Sequence, residues 1–187
     1  MTVEAERHAI EQLLVKVTLP IIVQDKNRFG IVGTATLFTI QDRLSLIKAG
    51  HTILDYSVDR WAYSERPTGG TIFTLGQLNH YRPNDKQYDV AVVEILDPET
   101  SQRLRTNWRF LTLDQVSLPH EGAEFFVSGY PSALAISEET AVRGVLLTLE
   151  TRRRATQSSP LTRRWIIFLT LVQMFLVASI GTLKSTA

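Results

Sequence analysis

His51 and Asp89 are the residues whose types and settings best suit acid–base chemistry. His51 closes the apolar run Leu46-Ile47-Lys48-Ala49-Gly50-His51, and Asp89 opens Asp89-Val90-Ala91-Val92-Val93, 38 residues further on. A hydroxyl is a weak nucleophile. An imidazole that takes its proton during attack, with a carboxylate to fix the tautomer and stabilise the imidazolium, makes it a competent one. Taken singly, a His after an apolar strand and an Asp before one are ordinary polar residues at strand ends.

The other titratable residues form no rival constellation. His8 falls in an amphipathic leading segment, and His80 and His120 fall in turn-like stretches (Asn79-His80-Tyr81-Arg82-Pro83 and Leu118-Pro119-His120-Glu121-Gly122). No two histidines share metal-ligand spacing, and Asp85, Glu94 and Asp97 read as solvated or turn residues. The chain has no cysteine, which excludes a disulfide framework, a thiolate metal site and a thiol nucleophile. With no glycine-rich phosphate loop either, neither a metal nor a cofactor is expected.

Three ordered segments carry a family resemblance. Gly33-Thr34-Ala35-Thr36-Leu37-Phe38, followed by the run ending at His51, resembles the trypsin-like serine peptidases, in which a G-T-G-F-L-I-like strand pairs with one ending in L-I-T-A-A-H. Tyr88-Asp89-Val90-Ala91-Val92 resembles the strand bearing the family's triad aspartate. Phe125-Phe126-Val127-Ser128-Gly129-Tyr130-Pro131 resembles the V-x-x-x-G-Y-P segment at the entrance to its second barrel. Ala35, Lys48 and Gly50 depart from the pattern, standing where glycine, threonine and alanine are usual. The resemblance implies that His51 is the general base, that Asp89 is its orienting partner, and that the two meet across a six-stranded antiparallel barrel. A peptide or protein would be the substrate.

The resemblance is incomplete at the nucleophile. A trypsin-like triad presents its serine on a G-x-S-G-G-like turn whose backbone N–H groups form the oxyanion hole. Ser101, Ser117, Ser128, Ser132, Ser137, Ser158, Ser159, Ser179 and Ser185 follow Asp89, and none sits in such a turn. A truncated and inactive peptidase domain is therefore expected. The alternative is a non-catalytic, membrane-anchored binding module built on the same barrel, and an unrelated β barrel is a third reading.

The elements that would position these residues follow from periodicity. Ala5, Ile10, Leu13 and Leu14 have helical spacing, so residues 1–15 are expected to form a short helix. From residue 16 to 150 the pattern turns to period two, with strands expected at 17–23, 31–40, 44–47, 71–75, 89–96, 124–128 and 142–149. Turns are read at 25–28, at 41–43 and at Gly69-Gly70. The fold class is all-β, the first half of a trypsin-like double barrel with the start of the second.

Composition divides the chain. Net charge is +1 overall, yet six of the 20 basic residues and none of the 19 acidic ones lie beyond residue 150. Residues 151–164 read as a basic linker. Trp165 to Leu183 then run uncharged for 19 residues, about 28 Å as a helix, enough to cross a bilayer's hydrocarbon core. Arginines before this run and one lysine after it would keep the first 164 residues cytoplasmic, and if the tail does not insert the whole chain would be cytoplasmic. A frameshift in a longer peptidase gene would also produce such an acid-free tail. Nothing in the composition points to nucleic acid, and the oligomeric state is not encoded in any motif.

Overall fold

The computed structural model describes residues 3–25, 28–85, 88–116, 124–138 and 141–152. Helix α1 (Val3–Val17) turns Ile10, Leu14 and Val17 inward, with Glu4 and Glu6 in its first turn and Lys16 in its last, the charge order that its dipole favours. Alternating apolar residues then produce an antiparallel meander of β1 (Thr18–Asp25), β2 (Arg28–Ile40) and β3 (Arg43–Lys48). Gln41 and Asp42 join β2 to β3 with φ of 49° and 65°, the left-handed backbone of a two-residue hairpin.

The chain continues through α2 (Thr52–Asp55), β4 (Trp61–Arg66), β5 (Gly69–Thr74), β6 (Leu78–Tyr81), β7 (Ala91–Ile95), α3 (Pro98–Asn107) and β8 (Leu111–Thr112). These strands form one sheet in the order β5-β4-β1-β2-β3-β7-β6, antiparallel throughout, with β8 added parallel to β2. Its two edge strands, β5 and β6, are consecutive in the chain and joined only by residues 75–77. That link can span at most about 14 Å, so the sheet must curl to bring its edges together. Gly76 makes the bend possible: its φ is +70°, and a Cβ there would lie 2.8 Å from the Asp97 Cβ.

The concave face holds the main core. Leu19, Ile21, Leu37, Leu46, Trp61, Tyr63 and Val93 all lie in it without measurable exposure, each large side chain contributing about 1.5–3 kcal/mol by burial. The opposite face of β2 and β3 carries Phe38 and Ile47 against Val17 and Leu111. Lys48 breaks the pattern, occupying an interior position with 5% exposure.

A smaller unit follows: β9 (Glu124–Gly129), β10 (Ile136–Ser137), β11 (Val142–Arg143) and β12 (Leu147–Arg152), with β12 paired to β9 and β10 to β11. It docks on β2, where the Tyr130 N–H donates to Thr34 Oγ1 at 2.8 Å. Gly129 permits this approach, since a Cβ would stand 3.2 Å from the same oxygen.

The β-rich, antiparallel expectation holds, with several corrections. Among the described strands the ladder is open, because β5 and β6 are not hydrogen-bonded to each other. Residues 98–107 are helical because Asp97 accepts the Thr100 N–H at 2.7 Å and Pro98 starts the first turn with no N–H to satisfy. His80 lies in β6, opposite Val93, rather than in a turn. Glu94 is not solvated: it is 8% exposed and paired with Arg43 at 3.1 Å. The turn assigned to Gly69-Gly70 is made by Pro67-Thr68, with both glycines inside β5, and the strand expected over 142–149 is split into β11 and β12. His120, Ser117, Ser158, Ser159, Ser179, Ser185 and the run 165–183 lie outside the described residues. Among those described, no helix is long and apolar enough to cross a membrane.

Candidate active site

β3 and β7 are neighbours, with Lys48 opposite Ala91. This rung sets the site. Three residues past Lys48 the chain reaches His51, at the start of α2; two residues before Ala91 it passes Asp89. Antiparallel pairing therefore delivers both side chains to the same end of the sheet. The turn into α2 is closed by the Thr52 hydroxyl, which donates to the Ala49 carbonyl at 2.6 Å.

Asp89 grips His51 with both oxygens. Oδ2 lies 2.6 Å from the imidazole Nδ1, and Oδ1 accepts the His51 backbone N–H at 2.7 Å. A carboxylate only accepts, so Nδ1 carries the proton and, in the neutral ring, Nε2 is left with a free lone pair. Among the described residues none hydrogen-bonds Nε2, which is the atom a base would turn toward a hydroxyl.

Burial pushes the Asp89 carboxyl upward, but other effects prevail. The hydrogen bonds from the His51 side chain and backbone, the imidazole charge and the Arg82 charge hold it below the ordinary carboxylate range. The pair is open to solvent, with 59% of the His51 side chain and 36% of the Asp89 side chain exposed. Water therefore screens a charge relation that a closed active site would strengthen.

The described serines do not complete a triad. Ser101 lies in α3, Ser128 in β9, where it accepts from Thr148 Oγ1 at 3.5 Å, Ser132 in a short 3-10 turn and Ser137 in β10. None hydrogen-bonds His51. Arg82 and the second Asp89 contact, to the His51 backbone, are not marked in the sequence, where Gly50 stands out only as a departure from the family pattern. Arg82 directly follows β6, and no motif marks it. No group of three His, Cys, Asp or Glu among the described residues could hold a metal ion.

An open cleft of about 300 Å³ lies between β2 and the smaller unit, lined by Thr34, Val127 to Pro131, Leu147 and Leu149. Its surface is almost wholly apolar, and Leu149 is 63% exposed.

No protein-family model matches the chain, and no curated protein sequence matches it.

Proposed function

We propose that residues 16–150 are the His/Asp-bearing part of a trypsin-like serine peptidase, whose reaction is acyl transfer from a peptide bond to serine and then to water. The observation that carries this reading is the 2.6 Å contact of Asp89 with His51 Nδ1, which leaves Nε2 with the lone pair a general base needs. The topology supports it. If β5 and β6 are counted as one strand kinked at Gly76, the order β1-β2-β3-β7-β6/β5-β4 returns to β1 as a ring of six. A ring of six antiparallel strands is what the resemblance implies for the first barrel.

The chain by itself has a base and an orienting carboxylate but no nucleophile in a suitable turn, so it does not hydrolyse peptides. A fluorophosphonate probe applied to the purified chain is expected to leave it unlabelled; labelling that His51→Ala abolishes would overturn the inactivity. Reading the nucleotide sequence beyond codon 150 in all three frames tests the family assignment. A G-x-S-G-G turn in another frame, together with hydrolysis once that frame is restored, supports it; no such turn in any frame counts against it.

The apolar cleft favours one other reading, a binding module tethered to a membrane by residues 165–183. Leu147 and Leu149 would then engage a partner. Asp89→Asn separates the two readings, because in the frame-restored chain it abolishes hydrolysis, whereas a binding module would keep its partner.

A further inference from the structure

We infer that Arg82 is a positioning residue for the His51–Asp89 pair, and that glycine at position 50 is what gives it room. The inference takes its catalytic meaning from the peptidase reading, but its geometry stands independently.

The ladder between β6 and β7 explains how Arg82 arrives. Tyr81, the last residue of β6, is paired with Val92, so the next residue, Arg82, leaves the sheet beside the segment that carries Asp89 and Val90. Its guanidinium stem lies against the backbone of Gly50. A Cβ on residue 50 would meet Arg82 Nε at 3.1 Å, the Val90 carbonyl oxygen at 3.1 Å and Asp89 Oδ1 at 3.2 Å. One point in space is therefore shared by the arginine, the carboxylate and the chain that leads to His51.

These contacts make the three residues interdependent. A methyl group at position 50 would crowd all three atoms, and two of them cannot retreat. Val90 O belongs to the backbone, and Asp89 Oδ1 is held by the His51 N–H at 2.7 Å. The arginine would have to yield. Glycine at 50, a departure from the alanine usual in the peptidase pattern, is thus matched to an arginine at 82.

The placement has a clear electrostatic consequence. Asp89 precedes β7 and is outside the hydrogen-bonded ladder, so its side chain depends on local contacts for orientation. The charged groups that lower its pKa are the His51 imidazole and Arg82. A cation held near the carboxylate by the space over Gly50 favours its ionised form, the form that accepts from Nδ1. Arg82 touches no reacting atom and acts through Asp89.

The test is a carboxyl carbon NMR titration of the full chain labelled at aspartate, with the Asp89 signal assigned by its loss in Asp89→Asn. In Arg82→Gln the Asp89 midpoint is expected to rise by about half a unit, as removal of one partly screened charge predicts. Arg82→Lys should restore most of the shift, and ~1 M salt should shrink the difference between the variants. Gly50→Ala, which displaces the arginine without removing it, should shift the midpoint in the same direction and broaden the low-field His51 Nδ1 proton signal. Because Arg82 is exposed, its variants should remain folded. An unchanged or lowered midpoint in Arg82→Gln, or equal shifts in Arg82→Gln and Arg82→Lys, would overturn the inference. The readout needs no hydrolysis. Failure of a frame-restored chain to cleave peptides would sink the peptidase reading alone, and an unmoved midpoint in a chain that does cleave would sink the Arg82 role alone.

Discussion

The Lys48 ammonium nitrogen lies 3.7 Å from the centroid of the Trp61 ring, inside the core and without a hydrogen-bond partner among the described residues. Among the described residues the indole face is what compensates it, a cation–π contact that offsets part of the loss of hydration. Desolvation lowers the amine to about 7. In the unfolded chain the same group titrates near 10.4. Between these values the unfolded state binds more protons, so stability rises with pH across that window; the penalty is complete below about pH 7 and gone above the unfolded value.

Lys48→Met keeps the volume and removes the charge. At pH 7 it is expected to raise stability by on the order of 1–3 kcal/mol, a fraction of the nominal linkage because the cation–π contact is lost with the amine. The gain should narrow as pH approaches 10. Urea denaturation at pH 6.5, 8 and 9.5 would measure it, and a gain that does not change with pH would refute the buried-charge account.

Asp89 gives a slope of the same sign in a more acidic window, as a stabilisation gained with rising pH rather than a penalty relieved. Its folded carboxyl is held below the ordinary range, so its contribution is present above about pH 4 and is lost as pH falls through the lower folded value. With 36% of the side chain exposed, screening keeps that contribution under about 1 kcal/mol. Asp89→Asn should therefore barely change the melting temperature at pH 7 and should flatten its decline between about pH 5 and 3. A large loss at pH 7 would mean that the carboxylate supports the fold itself rather than the imidazole.

Sequence pattern reveals strands best where burial is one-sided. The meander β1 to β3 was legible because Leu19, Ile21, Leu37 and Leu46 alternate with residues facing the other way. β4 was missed: Trp61-Ala62-Tyr63 is buried on both faces, so alternation gives no signal. Helix α3 was missed for a different reason. A proline commonly interrupts a pattern, but Pro98, after Asp97 and before Glu99, occupies the position where proline starts a helix. Of the site, His51 and Asp89 were legible from their strand-end settings. The Arg82 contact was not, because it depends on a ladder register that only the folded sheet defines.

Leu104 tests whether α3 is integral to the core. It is fully buried, and the Trp108 N–H bonds back to its carbonyl at 2.8 Å as the helix ends. From there the Trp108 indole N–H reaches the Glu65 carbonyl at 3.1 Å, tying the helix end to β4. Leu104→Ala should cost about 2–5 kcal/mol by the cavity it leaves. A cost below about 1 kcal/mol, measured by denaturant titration, would show that the helix packs loosely against the sheet.

Thr34 couples the smaller unit to the main sheet, and its hydroxyl is the specific element of that coupling. The oxygen accepts the Tyr130 N–H at 2.8 Å, in the segment that follows β9, while Tyr130 itself is 9% exposed. Thr34→Val preserves the shape of the side chain and removes the acceptor. A backbone N–H left without a partner costs about 1–3 kcal/mol when buried, and toward the lower end here because Thr34 is only half-buried. The loss should be local. Hydrogen exchange is expected to quicken at Tyr130 and along the β9–β12 ladder while β1 to β3 stay protected, and Thr34→Ser should restore the slow rates. Uniformly faster exchange across both parts would instead mean that they open together, with the Thr34 contact one of many that join them.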